Sequence, residues 1–520
     1  MTVEVEAVSP AELSALPSYT LTTGQLGDLE LLLSGAYAPL SGFMTDADES
    51  AVTAAWQLAD GTPFPVPVTL DVAEGAIPTA PDGTPATRIL LADPEGTPIA
   101  IMTITNRTGQ PDGTVRLAGP VAASRPPEHG PFRRLMLSPE ATRAQLDDSP
   151  VLAFATRAPL GSRQIGQLRH LAGQLRAQIL VLPLVSGRAE VVGSPQALIR
   201  TVLAAMPSLP PNSLIVPIPF ARRPGRSDRA RELAGLARIA AAYGATHLMA
   251  DGPPPGQVPA RADVTASARI PVLPSGDWAY DPRAEVWRPH SLIEAGTEQE
   301  DLSADQLGDL LDSGSPIPAW VTPATVAREL RRVRRPRSER GLVLFLTGLS
   351  GSGKSTIAKD LADVLTERSD RQVSLLDGDL VRQLLSAGLT FSRGDRDLNI
   401  ARIGFVAAEI ARHGGIAICA PIAPFASARA QVRRMVSEVG DFFLIHVATP
   451  VEVCEARDRK GLYAKARAGV ISQFTGVSDP YEEPADAELV IDTSAMSRQE
   501  AVQAVLKLLT SGGWLADEPQ

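Results

Sequence analysis

Apolar and polar positions alternate in different ways along the chain. From Met1 to about Pro150 the apolar runs are short and broken by Gly, Pro and Asp, as in PVPVTLDV (Pro65–Val72), RILLAD (Arg88–Asp93) and IAIMTIT (Ile99–Thr105). Short strands closed off by turn residues predict a β-rich, barrel-like domain over 1–150. From about Val151 to Thr325, strand patterns alternate with helical ones. The strands are VLAF (Val151–Phe154), QILVLPLV (Gln178–Val185), SLIVPIP (Ser213–Pro219) and THLMA (Thr246–Ala250). That alternation predicts an α/β domain with a parallel sheet over 151–325. RRVRRPRSER (Arg331–Arg340) is basic and contains Pro336. It predicts a solvated linker over 326–340 in preference to a nucleic-acid patch. From Gly341 a strong βαβ alternation runs to about Thr510, giving a third domain over 341–510. SGGWLADEPQ then closes the chain as a frayed tail.

Composition adds limits. A length of 520 residues fits about three domains. The chain is 44% hydrophobic and 21% charged, ordinary for a soluble globular protein. A net charge of −10 argues against a broad nucleic-acid surface, although local arginines and backbone N–H groups can still hold anions. No run of about 18 apolar residues is present, and the N-terminal MTVEVEAVSP lacks a basic region followed by an apolar one. A cytoplasmic protein without a membrane partner is expected. The two cysteines, Cys419 and Cys454, lie in apolar surroundings and read as buried, reduced thiols.

The most specific chemistry is in GLVLFLTGLSGSGKST (Gly341–Thr356). A continuous apolar run, Leu342–Leu346, leads into Gly348, Leu349, Ser350, Gly351, Ser352, Gly353, Lys354 and Ser355, which fit G-x-x-x-x-G-K-S/T. Glycines let the backbone wrap a phosphate, and the helix that follows points its N–H groups at the anion. Lys354 would reach the β/γ-phosphates, and Ser355, with Thr356 beside it, would face Mg²⁺. ATP as co-substrate and Mg²⁺ as cofactor follow from this loop; the acceptor does not. Downstream, VSLLDGDLVRQLL (Val373–Leu385) ends a strand in Asp377 and Asp379. At the C-terminal edge of an open sheet, one carboxylate suits the Mg²⁺ water shell and the other a hydroxyl proton, with Asp377 as the metal candidate. The assignment between the two stays open.

Over about Gly341 to Thr493 the chain resembles the adenylylsulfate kinase family. Asp-Gly-Asp-x-Val-Arg, GLTFSRGDRDLNIARIG (Gly388–Gly404), TPVEVCEARD (Thr449–Asp458) and KGLYAKARAGVISQFTGVSDPYEEP (Lys460–Pro484) carry the likeness in order. It implies a P-loop kinase that phosphorylates the 3′-hydroxyl of adenylyl sulfate, a small-molecule substrate. Site residues follow by position: Lys354, Asp377 and Asp379 for catalysis, and Arg382, Phe391, Arg396, Asn399, Arg402, Ile422, Lys460, Leu462 and Phe474 for the acceptor. The chemistry agrees. Guanidinium forks suit a phosphosulfate anhydride, aromatic rings suit adenine, and a basic lid with Lys460, Lys465 and Arg467 suits phosphoryl transfer. Two positions depart from the family. Its Ile-Ser-Pro is Ile422-Ala423-Pro424, which removes any phosphoserine intermediate and leaves direct transfer. Its Asn-Ile-Arg-Arg is Asn399-Ile400-Ala401-Arg402, one arginine fewer.

The N-terminal two thirds resemble ATP sulfurylase through GDLELLLSGAYAPLSGFM (Gly27–Met44), PFPVPVTLDV (Pro63–Val72) and LGDLLDSGSPIPAW (Leu307–Trp320). The fold implied is a PUA-like β-rich domain and an α/β nucleotidyltransferase-like domain. That family makes adenylyl sulfate, so the fusion is chemically sensible. Its catalytic motif has decayed here. Gln-Thr-Arg-Asn-Pro with a following His-x-x-His pair reads AFATRAPLGSRQ (Ala153–Gln164), placing Ala155, Ala158, Gly161 and Gln164 at the key positions. The second motif is reduced to THLMADGPPPG (Thr246–Gly256), where His247 reads as a strand residue. Thr156 and Arg157 survive. Loss of sulfurylase chemistry is expected. Against this stand a bifunctional enzyme, a nucleotide-sensing subunit without catalysis, and a P-loop kinase for another acceptor. Oligomeric state is left open, a homo-oligomer included.

Overall fold

The computed structural model describes residues 13, 15–80, 83–124, 131–187, 192–223, 229–251, 269–390, 392–458, 461–471 and 473–516, without the side chains of residues 379 and 380. Of the residues singled out above, Phe391, Lys460 and the side chain of Asp379 lie outside this description. One compact unit comprises Met1–Gly308 and Pro316–Val333; the other comprises Asp309–Ser315 and Arg334–Gln520.

The first unit opens with a mostly antiparallel sheet built around the long strand Thr114–Ala123, which pairs with Gly42–Phe43, Leu70–Ala73, Pro98–Thr103 and Asn106–Gly109. A five-stranded parallel sheet follows, in the order Leu214–Ile215, Gln178–Pro183, Val151–Thr156, His247–Ala250, Val272–Pro274. Two expected strands are truncated for one reason. In PVPVTLDV only Leu70–Ala73 is strand, and in SLIVPIP only Leu214–Ile215. Prolines 65, 67, 217 and 219 lack the N–H a ladder needs, although Val66, Val68, Val216 and Ile218 are still buried. The boundary expected near residue 150 does not separate two bodies. Leu29, Phe64 and Val72 share a core with Val151, Leu180 and Leu248, so apolar burial joins the β-rich and α/β parts.

The second unit is a five-stranded, all-parallel sheet in the order Val373–Leu376, Ile416–Cys419, Leu342–Thr347, Asp441–Val447, Leu489–Ile491. The central strand, Leu342–Thr347, is buried at every position, as expected for a strand covered on both faces. Helix Lys354–Arg368 covers one face with Ile357, Ala358, Leu361 and Leu365, joined by Val505 and Leu509 of helix Arg498–Ser511. Helix Arg393–Arg412 covers the other with Ile400, Ile403, Ala407 and Ala411. Gly404 lets that helix lie close to helix Ala426–Ser437, since a Cβ there would stand 2.7 Å from Val432 Cγ2.

The basic stretch differs from a solvated linker. Residues Ala324–Val333 form a helix that buries Val326 and Leu330. The next arginines fold into the second unit around Asp312, which takes Arg334 Nε at 2.7 Å, Arg340 Nη2 at 2.6 Å and Arg337 Nη2 at 3.4 Å. Burial disfavours the Asp312 carboxylate, but hydrogen bonds from Arg334 and Arg340 outweigh it and hold its pKa down at about 2. The chain end is also better ordered than expected up to Ala516. Trp514 packs edge-on against Phe443 at 4.9 Å, donates to Asp441 Oδ2 at 2.7 Å, and is followed by buried Leu515. Both cysteines are free and buried, and burial pushes the Cys419 thiol up.

Candidate active site

The parallel register brings the C-terminal ends of four strands of the second unit to one edge. From the central strand, Gly348–Gly353 wraps into helix Lys354–Arg368, with Gly348, Gly351 and Gly353 at φ of 150°, 77° and 102°. Side chains are excluded here. A Cβ on Gly348 would stand 2.4 Å from Val447 O and one on Gly351 2.9 Å from Cys454 O. Lys354 is nearly buried and folds back over the loop, donating to Leu349 O at 2.7 Å and Ser352 Oγ at 3.4 Å. Ser355 is exposed on the helix's first turn, and Thr356 is half-buried beside it.

Other segments brace this loop. Ser352 O accepts from Thr449 and Thr493, each at 3.0 Å. Tyr463 donates to Ser350 O at 2.9 Å, and Arg457 to Gly351 O at 3.4 Å. None of these four was singled out from the sequence. Thr449, Arg457 and Tyr463 lie in segments that carry the family likeness, but they act here on backbone carbonyls that only folding brings near. Cys454 packs under the loop; burial raises its thiol pKa against the opposing pull of Lys354 and Arg457.

Asp377 leaves strand Val373–Leu376 at the same edge, and its carbonyl accepts from Val381 N at 3.0 Å to start the helix carrying Arg382. Arg382 is half-buried, and its charge contributes to holding the Asp395 carboxyl low, behind the larger effect of hydrogen bonds from Thr390. On helix Arg393–Arg412, Arg396 and Asn399 are both 8% exposed. Asn399 Oδ1 is buried with no hydrogen-bond partner among the described residues. Arg396 is held by Gln473 O, Thr475 Oγ1 and Asp479 Oδ2 at 2.8, 3.1 and 2.6 Å. Arg402 donates to Leu385 O at 2.7 Å and lines an open groove with Leu385 and Phe405. Leu462 begins helix Leu462–Arg467, and Phe474 packs edge-on against Tyr463 at 5.0 Å.

Ile422 lies between the phosphate loop and Asp377. Its carbonyl accepts from Thr347 Oγ1 at 2.6 Å and from Gly348 N at 3.4 Å. Ala423 is buried at φ 46°, a left-handed conformation unfavourable for alanine, with its carbonyl tied to Arg429 Nη1 at 2.8 Å. Among the described residues no three His, Cys, Asp or Glu gather into a metal cage. Mg²⁺ carried on nucleotide phosphates needs only one or two protein oxygens, which Ser355 and Asp377 can supply.

The parallel sheet of the first unit presents a different edge. Thr156 Oγ1 is used in its own turn, donating to Ala158 O at 2.7 Å. Arg157 is 9% exposed and is taken by Phe220 O at 3.0 Å and Glu232 Oε1 at 3.4 Å. Arg163 pairs with Asp301 at 3.0 Å and Asp251 at 3.5 Å, and Gln164 donates to Asp251 at 3.3 Å. His247 sits half-buried in its strand against Thr246 Oγ1 at 2.9 Å. Residues 252–256 of the second motif lie outside the described residues.

Comparison with known proteins now bears on both units. Residues 340–492 match the adenylylsulphate kinase family, and residues 3–116 match the PUA-like domain. A sulfate adenylyltransferase of Mycosarcoma maydis is 36% identical over 96% of this chain and 94% of its own length. One of Phaeosphaeria nodorum is 36% identical over 97% and 95%. A solved structure titled a hexameric APS kinase from Thiobacillus denitrificans superposes with a TM-score of 0.81 at 34% identity, covering 97% of this chain and 95% of that one.

Proposed function

The chain belongs to the sulfate adenylyltransferase family, with an adenylylsulphate kinase domain at its C-terminal end, and we propose that it works as an adenylylsulfate kinase whose sulfurylase-like region has no catalytic activity. The reaction is ATP and adenylyl sulfate to ADP and 3′-phosphoadenylyl sulfate, a step of sulfate activation. The observation that carries the kinase half is the intact phosphate loop on the same sheet edge as Asp377, inside the matched region. The full-length relative that goes by a kinase title adds support.

In this reading the N–H groups at the start of helix Lys354–Arg368 hold the phosphates. Lys354 swings from Leu349 O and Ser352 Oγ onto the β/γ oxygens, where it balances charge on the moving phosphoryl group. Ser355 and Asp377 would hold Mg²⁺, whose charge would neutralise that of the phosphates. Asp377 or Asp379 takes the 3′-hydroxyl proton. Asn399 presents its amide oxygen to the acceptor, with Arg382, Arg402, Ile422, Leu462 and Phe474 as further acceptor residues, and the family resemblance alone adds Phe391 and Lys460. With Ala423 at the loop between nucleotide and acceptor, transfer is direct and in line.

The inactive half rests on charge. Adenylyl transfer needs cations or donors aimed at the α-phosphate. Here Arg157 and Arg163 already face Glu232, Asp251 and Asp301, and no imidazole stands at Gly161 or Gln164. The names of the relatives favour a second reading, a bifunctional enzyme that starts from sulfate. A homo-oligomer in the cytoplasm completes the proposal: the relative of known structure is titled hexameric, and both thiols are buried and unpaired. Purified protein with ATP and Mg²⁺ should release ADP only when adenylyl sulfate is added. ADP release that ignores adenylyl sulfate would refute the acceptor.

A further inference from the structure

One contact on the acceptor side has no part in the scheme above. The segment after the lid, Phe474–Asp479, is a tight turn: Phe474 O accepts from the N–H groups of Val477, Ser478 and Asp479, Gly476 N donates to Asp479 O at 2.8 Å, and Phe474 N to Ser478 Oγ at 2.8 Å. The turn rests on the phosphate loop. A Cβ on Gly476 would stand 2.9 Å from Leu349 Cδ2, and Phe474 packs on Tyr463, whose hydroxyl holds Ser350 O. Just beyond it, Tyr481 Oη meets Thr347 Oγ1 at 2.9 Å, and Glu482 N donates to Pro424 O at 2.9 Å. On its other side the turn grips the acceptor helix. Asp479 Oδ2 lies 2.6 Å from Arg396 Nη2, and Thr475 Oγ1 and Gln473 O also hold that guanidinium.

We propose that Asp479 is a positioning residue for the acceptor site, acting through Arg396 to lock the acceptor helix to the turn that carries Phe474. The phosphate loop, the Phe474 ring and the Asn399 amide then keep fixed separations. A carboxylate on a planar guanidinium fixes orientation as well as distance. Arg396 and Asn399 are one helical turn apart and both almost buried, so a shift of the guanidinium moves the face that carries the amide. Without the charge at 479, the helix loses a charged tether to the turn. ATP is held by the phosphate loop's own backbone, so the loss falls on the acceptor.

The inference rests on the kinase reading, and the wild-type control separates the two. Initial rates are measured on the full chain, varying adenylyl sulfate and ATP·Mg²⁺ separately, for wild type, Asp479→Asn and Asp479→Glu. Asp479→Asn should raise KM for adenylyl sulfate about tenfold or more, while kcat and KM for ATP move less than about threefold, the pattern of misplaced acceptor binding. Asp479→Glu, which restores the charge, should recover most of that loss. An unchanged acceptor KM in Asp479→Asn, equal rises in both KM values, or no recovery in Asp479→Glu would overturn the proposal. No turnover of adenylyl sulfate by the wild type would overturn the kinase reading and this inference with it.

Discussion

Two parallel-sheet edges in this chain, one in each unit, surround their cations differently. At the kinase edge, the contacts of Lys354 include a backbone carbonyl and a hydroxyl, and Asn399 Oδ1 is buried without a partner among the described residues. At the edge of the first unit, Arg157 is met by Glu232, and Arg163 by Asp251 and Asp301. A cation held by a carboxylate must break an ion pair before it meets a phosphate, and the carboxylate left behind repels the incoming anion. Both folds are retained with their cores filled. At the edge of the first unit, carboxylates from within the protein meet both arginines.

The sharpest way to break this contrast is at Lys354. Lys354→Ala should lower phosphoryl transfer by about 10³-fold or more while leaving the melting temperature nearly unchanged, because the charge on the β/γ-phosphates loses its fixed cation. Comparable turnover in that variant would take the site away from the phosphate loop. Next come the carboxylates. Asp377→Asn and Asp379→Asn should each cost about 10²-fold in kcat, the usual range for a lost general base or metal-shell oxygen. A loss at one position only would assign the chemistry there.

A smaller effect, on stability, should appear at Asp312. Its pKa is depressed from 3.8 to about 2, so its contribution is complete above pH ~4 and fades as pH falls from there through ~2. Asp312→Asn should therefore lower the stability of the second unit by at most about 2 kcal/mol near pH 7, and the difference from wild type should shrink in acid. Thermal melts at pH 7 and pH 3 give both numbers. A kinase piece cut at Arg337 lacks Asp312 and Arg334, and should melt below one that begins before residue 309. The smallest effect is expected at Ala423. Ala423→Ser should change turnover little, and γ-labelled ATP should leave no acid-stable label on the wild-type protein. Stoichiometric label that discharges to acceptor would refute direct transfer.

Much of this was legible in the sequence. The apolar run Leu342–Leu346 and the glycine spacing after it give strand, loop and helix in the observed order, because local rules decide all three. Proline-rich strands were overextended, since alternation of apolar residues survives where the N–H ladder does not. The basic stretch read as solvated because its partner, Asp312, stands 22 to 28 residues away in the chain. The same holds for Asp479, which is 83 residues from Arg396, and for the carboxylates that answer Arg157 and Arg163. Motifs record what a site offers. Which of those offers the protein itself has taken up is decided by contacts distant in sequence.

One measurement reaches the central contrast directly. The wild-type protein is incubated with ATP and Mg²⁺ and given either adenylyl sulfate or inorganic sulfate, and 3′-phosphoadenylyl sulfate is followed by mass. On the proposed reading, product should form from adenylyl sulfate and not from sulfate. Product from sulfate would show a working sulfurylase behind Arg157 and Arg163, and no product from adenylyl sulfate would show that the kinase edge does not do the chemistry assigned to it.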